Sequence, residues 1–422
     1  MNSFTLVFLA VLAAGTALRV WLARRHIGHV RQHRDRVPPA FSDTIPLAAH
    51  RKAADYTVTK TRFGVFELLI SVLLVLVWTL GGGIDLLDRA WRTLELAPVA
   101  TGVGFLLSAL IVASLLELPF SAYHTFVIEE RFGFNRTTPA LFAADTLKQL
   151  LLLLLLGTPL VWVVLWLMES AGRLWWVYAW AVWMAFSLFM VWAYPVFIAP
   201  LFNRFTPLEN EHLKERIQDL LSRCGFVSKG IFVMDGSRRS GHGNAYFTGL
   251  GNNKRIVFFD TLIDTLEPEE VEAVLAHELG HFRLRHIVKG ITLTAVFSLA
   301  GLALLGWLVD QPWFYAGLGV STPSNHAALF LFLLAAPAFT IFLQPILAYW
   351  SRKHEFEADD YAATQTAPNW LIRALVKLYQ ENAATLTPDP LYSAFHDSHP
   401  PAPVRVAHLS SKMAQQPSAA RP

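Results

Sequence analysis

The 422-residue chain holds a single cysteine, Cys224, so no disulfide can form within it. Any part outside a membrane must be held by its own core or by a metal. Charge is scarce too: Asp, Glu, Lys and Arg make up 16% of residues, and the formal net charge is +3. That balance excludes the basic surface of a nucleic-acid binder and leaves the basic residues as topology signals. Internal repeats are absent from the sequence. What is abundant is apolar surface: 54% of residues are hydrophobic and the mean hydropathy is positive. Soluble globular chains do not have this composition, and the lipid bilayer is the first expected partner.

Runs long enough to cross a bilayer lie at Phe4–Ala23, Gly64–Leu86, Thr101–Phe120, Gln149–Met168, Leu174–Leu201, Gly290–Leu308 and Ala328–Tyr349, seven in all. The first opens "MNSFTLV" without Lys or Arg, and positive charge follows it, which suits an anchor rather than a cleaved signal peptide. Residues 24–62 carry nine Lys or Arg, whereas the loop 310–326 between the last two runs carries none. The positive-inside rule then predicts an outside N-terminus, a cytoplasmic C-terminus, and a cytoplasmic face for the two long hydrophilic segments. Arg19 reads as a snorkelling residue at the end of the first span. Glu67 and Glu117 sit inside spans, where a carboxylate must face protein or water.

The expected organisation is mainly α and polytopic. A five-helix membrane region occupies 1–201, a hydrophilic segment with a small β-sheet 202–289, a transmembrane hairpin 290–350, and a second hydrophilic piece 351–422 with a disordered tail, "QQPSAARP". Within 202–289, "ENEHLKERIQDLLSRCGF" predicts an amphipathic helix, and "IFVMD" and "RIVFFD" predict strands between Gly, Asn and Ser turns. Pro268 followed by Glu269 and Glu270 marks the first turn of the next helix, because proline needs no donor there and carboxylates favour the positive end of the dipole.

That helix carries "AVLAHELGHFRLRH", residues 273–286. His277 and His281 fall one turn apart on one face, so two imidazoles reach one cation while Glu278 projects beside it. Zinc accepts neutral imidazole nitrogens and carboxylate oxygens in a tetrahedron and keeps a position open for water, so one Zn2+ per chain is expected. The competing reading is a solvated charged helix face, which "FRLRH" also fits. A third ligand is offered by "SRKHEFEADDYA", directly after the seventh run. There Glu355 and Asp359 share a helix face, Glu355 to bind and Asp359 to fix a histidine tautomer, while Glu357 points elsewhere. The last two runs form a hairpin that returns Glu355 to the side of His277. In the expected chemistry Glu278 is the general base of a zinc-dependent hydrolysis. "HDSHPPAPVR" supplies His399 and Arg405 as donors to a developing oxyanion.

With these residues in place, the chain resembles the type I CAAX prenyl proteases, integral-membrane zinc proteases that cleave carboxyl-terminal to a prenylated cysteine. "LPFSAYHTFVIEERFGFNRTT", "PLFNRFTPLENEHLKERI", "NAYFTGLGNNKRIVFFDTL", "HELGHF", "SRKHEFEADDYA" and "SHPPAPVR" are similar to family segments and follow the family order. The resemblance implies that His277, His281 and Glu355 bind zinc, that Glu278 is catalytic and that Asp359 supports the metal. It implies that the strand at Asn244 and Ala245 pairs with an extended substrate and that His399 and Arg405 line the cleft. It further implies seven helices around a water-filled chamber, a zincin-like domain at its cytoplasmic end, and a peptide or protein substrate, prenylated or not. Two positions depart from the family pattern: Gly243 stands where serine is common, and Thr248 where an aromatic is common. Oligomeric state is left open by the sequence.

Three other readings compete. A quality-control membrane protease of the HtpX type shares HExxH and a third glutamate but lacks "FVIEERFGFN". A site-2-type protease would place HExxH inside an apolar span, whereas Glu269, Glu270, Glu272, Arg283 and Arg285 surround it here. A transporter-like scaffold with a vestigial metal site has no use for Glu278.

Overall fold

The computed structural model describes residues 2–228, 230–248 and 255–415; the tail from 416 onward and the side chain of Thr248 lie outside the described residues. Five long helices come first: α1 (Ser3–Gln32), α2 (Leu47–Trp78), α3 (Pro98–Tyr123), α4 (Pro139–Ser170) and α5 (Trp175–Ala193). Then follow β1 (Phe205–Pro207), α6 (Glu211–Cys224), β2 (Ile231–Met234), β3 (Ala245–Thr248), β4 (Arg255–Phe259) and α7 (Pro268–Arg283). The hairpin is α8 (His286–Leu308) and α9 (Asn325–Thr340), and a short turn joins α9 to α10 (Gln344–Gln365). The chain closes with α11 (Pro368–Glu381), α12 (Pro390–His396) and α13 (Ala402–Gln415).

Among the described residues seven stretches are long and apolar enough to cross a membrane, as the sequence predicts. The helices start or end several residues beyond most of the expected runs, and one run overshoots its helix. The run expected to reach Leu86 leaves its helix at Trp78; Gly82 adopts φ 79°, and Leu86 belongs to a separate amphipathic helix, Gly83–Arg92. Only glycine takes that backbone conformation without strain, so the chain turns where hydropathy alone continues. The helices also outreach a bilayer. At 32 residues α2 is about 48 Å long, against a hydrocarbon core of about 30 Å.

The helices form a ring. α1 packs on α2, α3 on α4, α4 on α5 and α5 on α8, and α9 returns to α1. Phe63 of α2 meets Phe120 and Tyr123 of α3, and Trp180 Nε1 donates to the Ala295 carbonyl across α5 and α8 at 2.9 Å. One end is plugged by an apolar cluster that includes Phe8, Phe105, Phe314 and Leu331, stitched by the buried Asp88 and His326, 2.7 Å apart. Between plug and sheet the walls are thinly covered: only 6% of the apolar windows of α2 and α5 is buried, although each has neighbours on two sides. Cavities indent the inner wall there. Glu117 lines one of about 560 Å³ that extends to Arg239, and Arg19 lines another of about 430 Å³ with Lys60 and His396. Arg19 thus borders a cavity as well as lying near the end of its span. Leu69, Leu73 and Val77 of α2 and Leu151 and Leu155 of α4 remain exposed, as lipid-facing side chains do.

The opposite end carries the second core. The sheet order is β1-β2-β4-β3, with β2 and β4 parallel and the other pairs antiparallel, so β3 is an edge strand. Its neighbour beyond the sheet is α7. α7 in turn lies hard against α10: a Cβ on Gly280 would sit 3.0 Å from Ala358 Cα and 3.1 Å from its carbonyl oxygen. These are backbone atoms, so Gly280→Ala must push the two helices apart. We expect it to fold but to lose on the order of tenfold in any activity centred on α7, since catalytic geometry is sensitive well below 1 Å. Wild-type kcat in that variant would contradict the tight approach.

Candidate metalloprotease site

α7 starts cleanly. Glu267 and Glu270 form a reciprocal capping box, and Pro268 takes the first position, where a missing N–H costs nothing. Val271, Ala273, Leu275, Ala276 and Leu279 are buried, so α7 is a core helix and not a solvated surface helix. Charges at its start are absorbed rather than solvated: Glu272 meets Arg216 and Arg223, each at 2.7 Å, and Glu270 meets Lys377 at 2.7 Å.

α10 brings Glu355 to this face. His277 Nε2 and His281 Nε2 lie 3.2 Å apart, 3.5 and 3.4 Å from the Glu355 carboxylate. All three donor atoms fall within 4.8 Å of one another, the spacing of a metal ligand set. His277 Nδ1 lies 2.9 Å from the fully buried Asp359, and Arg405 closes the chain by donating Nε to Asp359 Oδ2 at 2.9 Å and Nη2 to its other oxygen. Burial alone would lower the His277 pKa; hydrogen bonds with Asp359 and Glu355 outweigh it and carry it to about 9. The pocket favours positive charge. Glu355 Oε2 gives the same sign, being buried without a properly directed hydrogen bond although His399 Nδ1 is 2.8 Å away. The residues present therefore fit a cation.

Glu278 is half-buried on the same helix, and among the described residues it has no hydrogen bond or ion pair. His399 is exposed and reaches the pocket from the loop before Pro400. Arg405, expected in the cleft, is instead only 7% exposed and committed to Asp359, with Nη1 3.8 Å from Glu355. The reason is electrostatic: two buried carboxylates one helical turn apart need a buried cation between them.

Asn244 is exposed at the head of β3, and its carbonyl accepts from Phe259 N at 3.0 Å. Ala245 pairs with Phe258 of β4, which leaves the outer edge of β3 unpaired by any described strand. A Cβ on Gly243 would meet Leu262 Cα at 3.5 Å, so the departure from serine has no steric cause. The loop leading into β3 is bolted to the membrane helices. Arg239 donates to Asp145 at 2.8 and 3.1 Å and to Asn203 at 2.9 Å, while His242 stacks on Phe134 at 4.3 Å and approaches Glu129 within 3.3 Å. Sequence reasoning passed over His242 and Glu129, whose pairing is purely tertiary. It also passed over His286, which sits 3.0 Å from His281.

A ring of membrane helices joined to an HExxH helix, with a third carboxylate supplied from the end of the last span, defines a membrane-embedded metallopeptidase. Comparison with known proteins agrees over most of the length: residues 26–204 match the CAAX prenyl protease N-terminal model, with its five membrane helices, and residues 207–413 match peptidase family M48. CAAX prenyl protease 1 of Saccharomyces cerevisiae is 33% identical over 403 residues, covering 89% of this chain and 88% of that protein. The Homo sapiens homologue is 32% identical, covering 96% and 95%. The crystal structure of S. mikatae Ste24p superposes with a TM-score of 0.89 at 31% identity, covering 97% of this chain and 99% of that one. The chain belongs to peptidase family M48, joined to a CAAX prenyl protease N-terminal membrane region. It is an integral-membrane metalloendopeptidase acting on peptide or protein substrates, and the quality-control and scaffold readings are not favoured.

Proposed function

We propose that the chain is a zinc endopeptidase that cleaves prenylated CAAX-type peptides at a cytoplasm-facing site, with the N-terminus outside and the C-terminus in the cytoplasm. The observation that carries this reading is the unpaired outer edge of β3 beside the helix that bears His277, Glu278 and His281. An extended peptide adds to such an edge through main-chain hydrogen bonds from Ala245 onward, beside the exposed Asn244 side chain, which holds the scissile bond without reading much sequence. Residues 1–201 form the wall, 202–289 and 351–422 the catalytic pieces, and 290–350 the hairpin that joins them.

His277, His281 and Glu355 would hold the ion, a donor set of two imidazoles and a carboxylate that suits zinc. When bound, zinc supplies a Lewis acid that acidifies a water and polarises the scissile carbonyl. Glu278 takes the water proton and later passes it to the leaving amine. His399 donates a hydrogen bond to the oxygen on which charge develops. Asp359 holds the His277 ring through Nδ1, and Arg405 keeps Asp359 ionised and oriented. The interior between plug and sheet gives an apolar prenyl chain and its peptide a route that bulk folded proteins cannot enter.

The test is cleavage of a farnesylated CAAX peptide beside its unprenylated twin by the detergent-purified protein. We expect faster cleavage of the farnesylated peptide, abolished by a zinc chelator and restored by zinc. Stoichiometric zinc with cleavage of neither peptide would contradict the reading. Equal cleavage of both would remove the prenyl preference and leave the peptidase.

A further inference from the structure

The roles above leave one buried polar group beside the site unused. His286 opens α8 directly after Arg285, whose backbone sits at φ 56°, a left-handed conformation that side chains other than glycine rarely adopt. That corner folds the first residue of α8 back onto the last turn of α7. There His286 Nδ1 lies 3.0 Å from His281 Nδ1, and His286 Nε2 lies 2.9 Å from Glu357 Oε2. The Glu357 carboxylate is flanked by Lys289 Nζ at 3.8 Å and Lys353 Nζ at 3.9 Å. His354 stacks on the His286 ring at 4.0 Å with an interplanar angle of 11°, fixing its plane.

Proton placement along this row admits one consistent arrangement of neutral rings. An ionised carboxylate only accepts, so His286 carries its proton on Nε2 and offers the lone pair of Nδ1. His281 must then donate from Nδ1, which leaves its Nε2 lone pair aimed at Glu355 and His277, as a metal ligand requires. We propose that Glu357 and His286 form a positioning relay that fixes the tautomer and ring orientation of His281. The pocket thus has two supports of different length: Asp359 acts on His277 directly, and Glu357 acts on His281 through an intervening imidazole.

His286, His354 and Glu357 also bring donor atoms within 4.8 Å of one another, so they could be read as a second metal site. The geometry opposes this. The two rings are stacked nearly parallel, so their in-plane lone pairs run side by side rather than converging, and two ammonium groups already neutralise Glu357.

The inference rests on the metal reading above, and its test reads metal affinity rather than turnover. Full-length protein in detergent is stripped of metal, and zinc affinity is measured by chelator competition, together with the absorption spectrum of the cobalt-substituted form. His286→Phe keeps the stacked ring and removes the acceptor; we expect one zinc per chain bound about 10- to 100-fold more weakly, with a changed cobalt spectrum. His286→Asn places an acceptor near the position of Nδ1 and should recover most of the affinity. Glu357→Leu, at a half-buried position tolerant of change, should weaken zinc in the same direction and keeps the question answerable if His286→Phe does not fold. Wild-type affinity in His286→Phe or Glu357→Leu would overturn the relay, as would equal weakening by Phe and Asn. A second zinc in the wild type that is lost in these variants would overturn it in favour of a second site. Wild-type protein that binds no zinc would end both this inference and the metal reading, whereas one zinc with unchanged affinity in the variants ends this inference alone.

Discussion

Glu278→Gln is expected to keep one zinc per chain and to lose about 10²- to 10⁴-fold in kcat, the usual worth of a general base. The two side chains have the same size, and glutamine cannot take a proton. Glu278 is half-buried and makes no hydrogen bond or ion pair among the described residues, so the substitution breaks no support of the fold. The proposed ligands His277, His281 and Glu355 are untouched, and KM should stay near its wild-type value because the proposed substrate edge at β3 is unchanged. Kinetics with a quenched CAAX peptide, alongside metal analysis of the same preparation, check this. Unchanged kcat would remove Glu278 from the chemistry; lost zinc would make it a ligand instead.

Arg405→Met is expected to have the largest effect on stability. Arg405 is 7% exposed, Asp359 is wholly buried and Glu355 nearly so, and the guanidinium contacts both carboxylates. Methionine fills much of the same volume but leaves Asp359 charged with only the His277 ring against it. Removing one member of a buried pair typically costs about 3–5 kcal/mol, because the other is left desolvated. A large drop in melting temperature in detergent is expected, with weaker zinc binding because Asp359 no longer holds the His277 ring. Adding Asp359→Asn should recover part of the stability, since the orphaned charge is gone, but not the zinc affinity. Full stability in Arg405→Met, or a double variant less stable than Arg405→Met, would contradict the pairing.

The cluster of His277, His281 and Glu355 was legible because its parts are local. His277 and His281 are related by the helical repeat, and Glu355 returns to them through a two-span hairpin that hydropathy reveals. Arg405 was legible as a site residue but not in its role, since burial against Asp359 is a tertiary fact. The end of α2 was misplaced because hydropathy runs on through Gly81, Gly82 and Gly83, whereas the backbone turns at Gly82. "FRLRH" read as a charged face, and only the left-handed corner at Arg285 turns its last residue inward. Glu357 lies apart from the His277, His281 and Glu355 cluster; its partner His286, 71 positions away, carries no sequence signal linking the two. The edge position of β3 likewise depends on sheet order, in which β4 comes between β2 and β3.

The most direct test is anomalous diffraction at the zinc edge from crystals of the metal-loaded protein. One peak is expected within bonding distance of His277 Nε2, His281 Nε2 and the Glu355 carboxylate, with Glu278 beside it and unbound. A peak elsewhere, on His286 and His354 for instance, or no peak at full zinc loading, would contradict the metallopeptidase site.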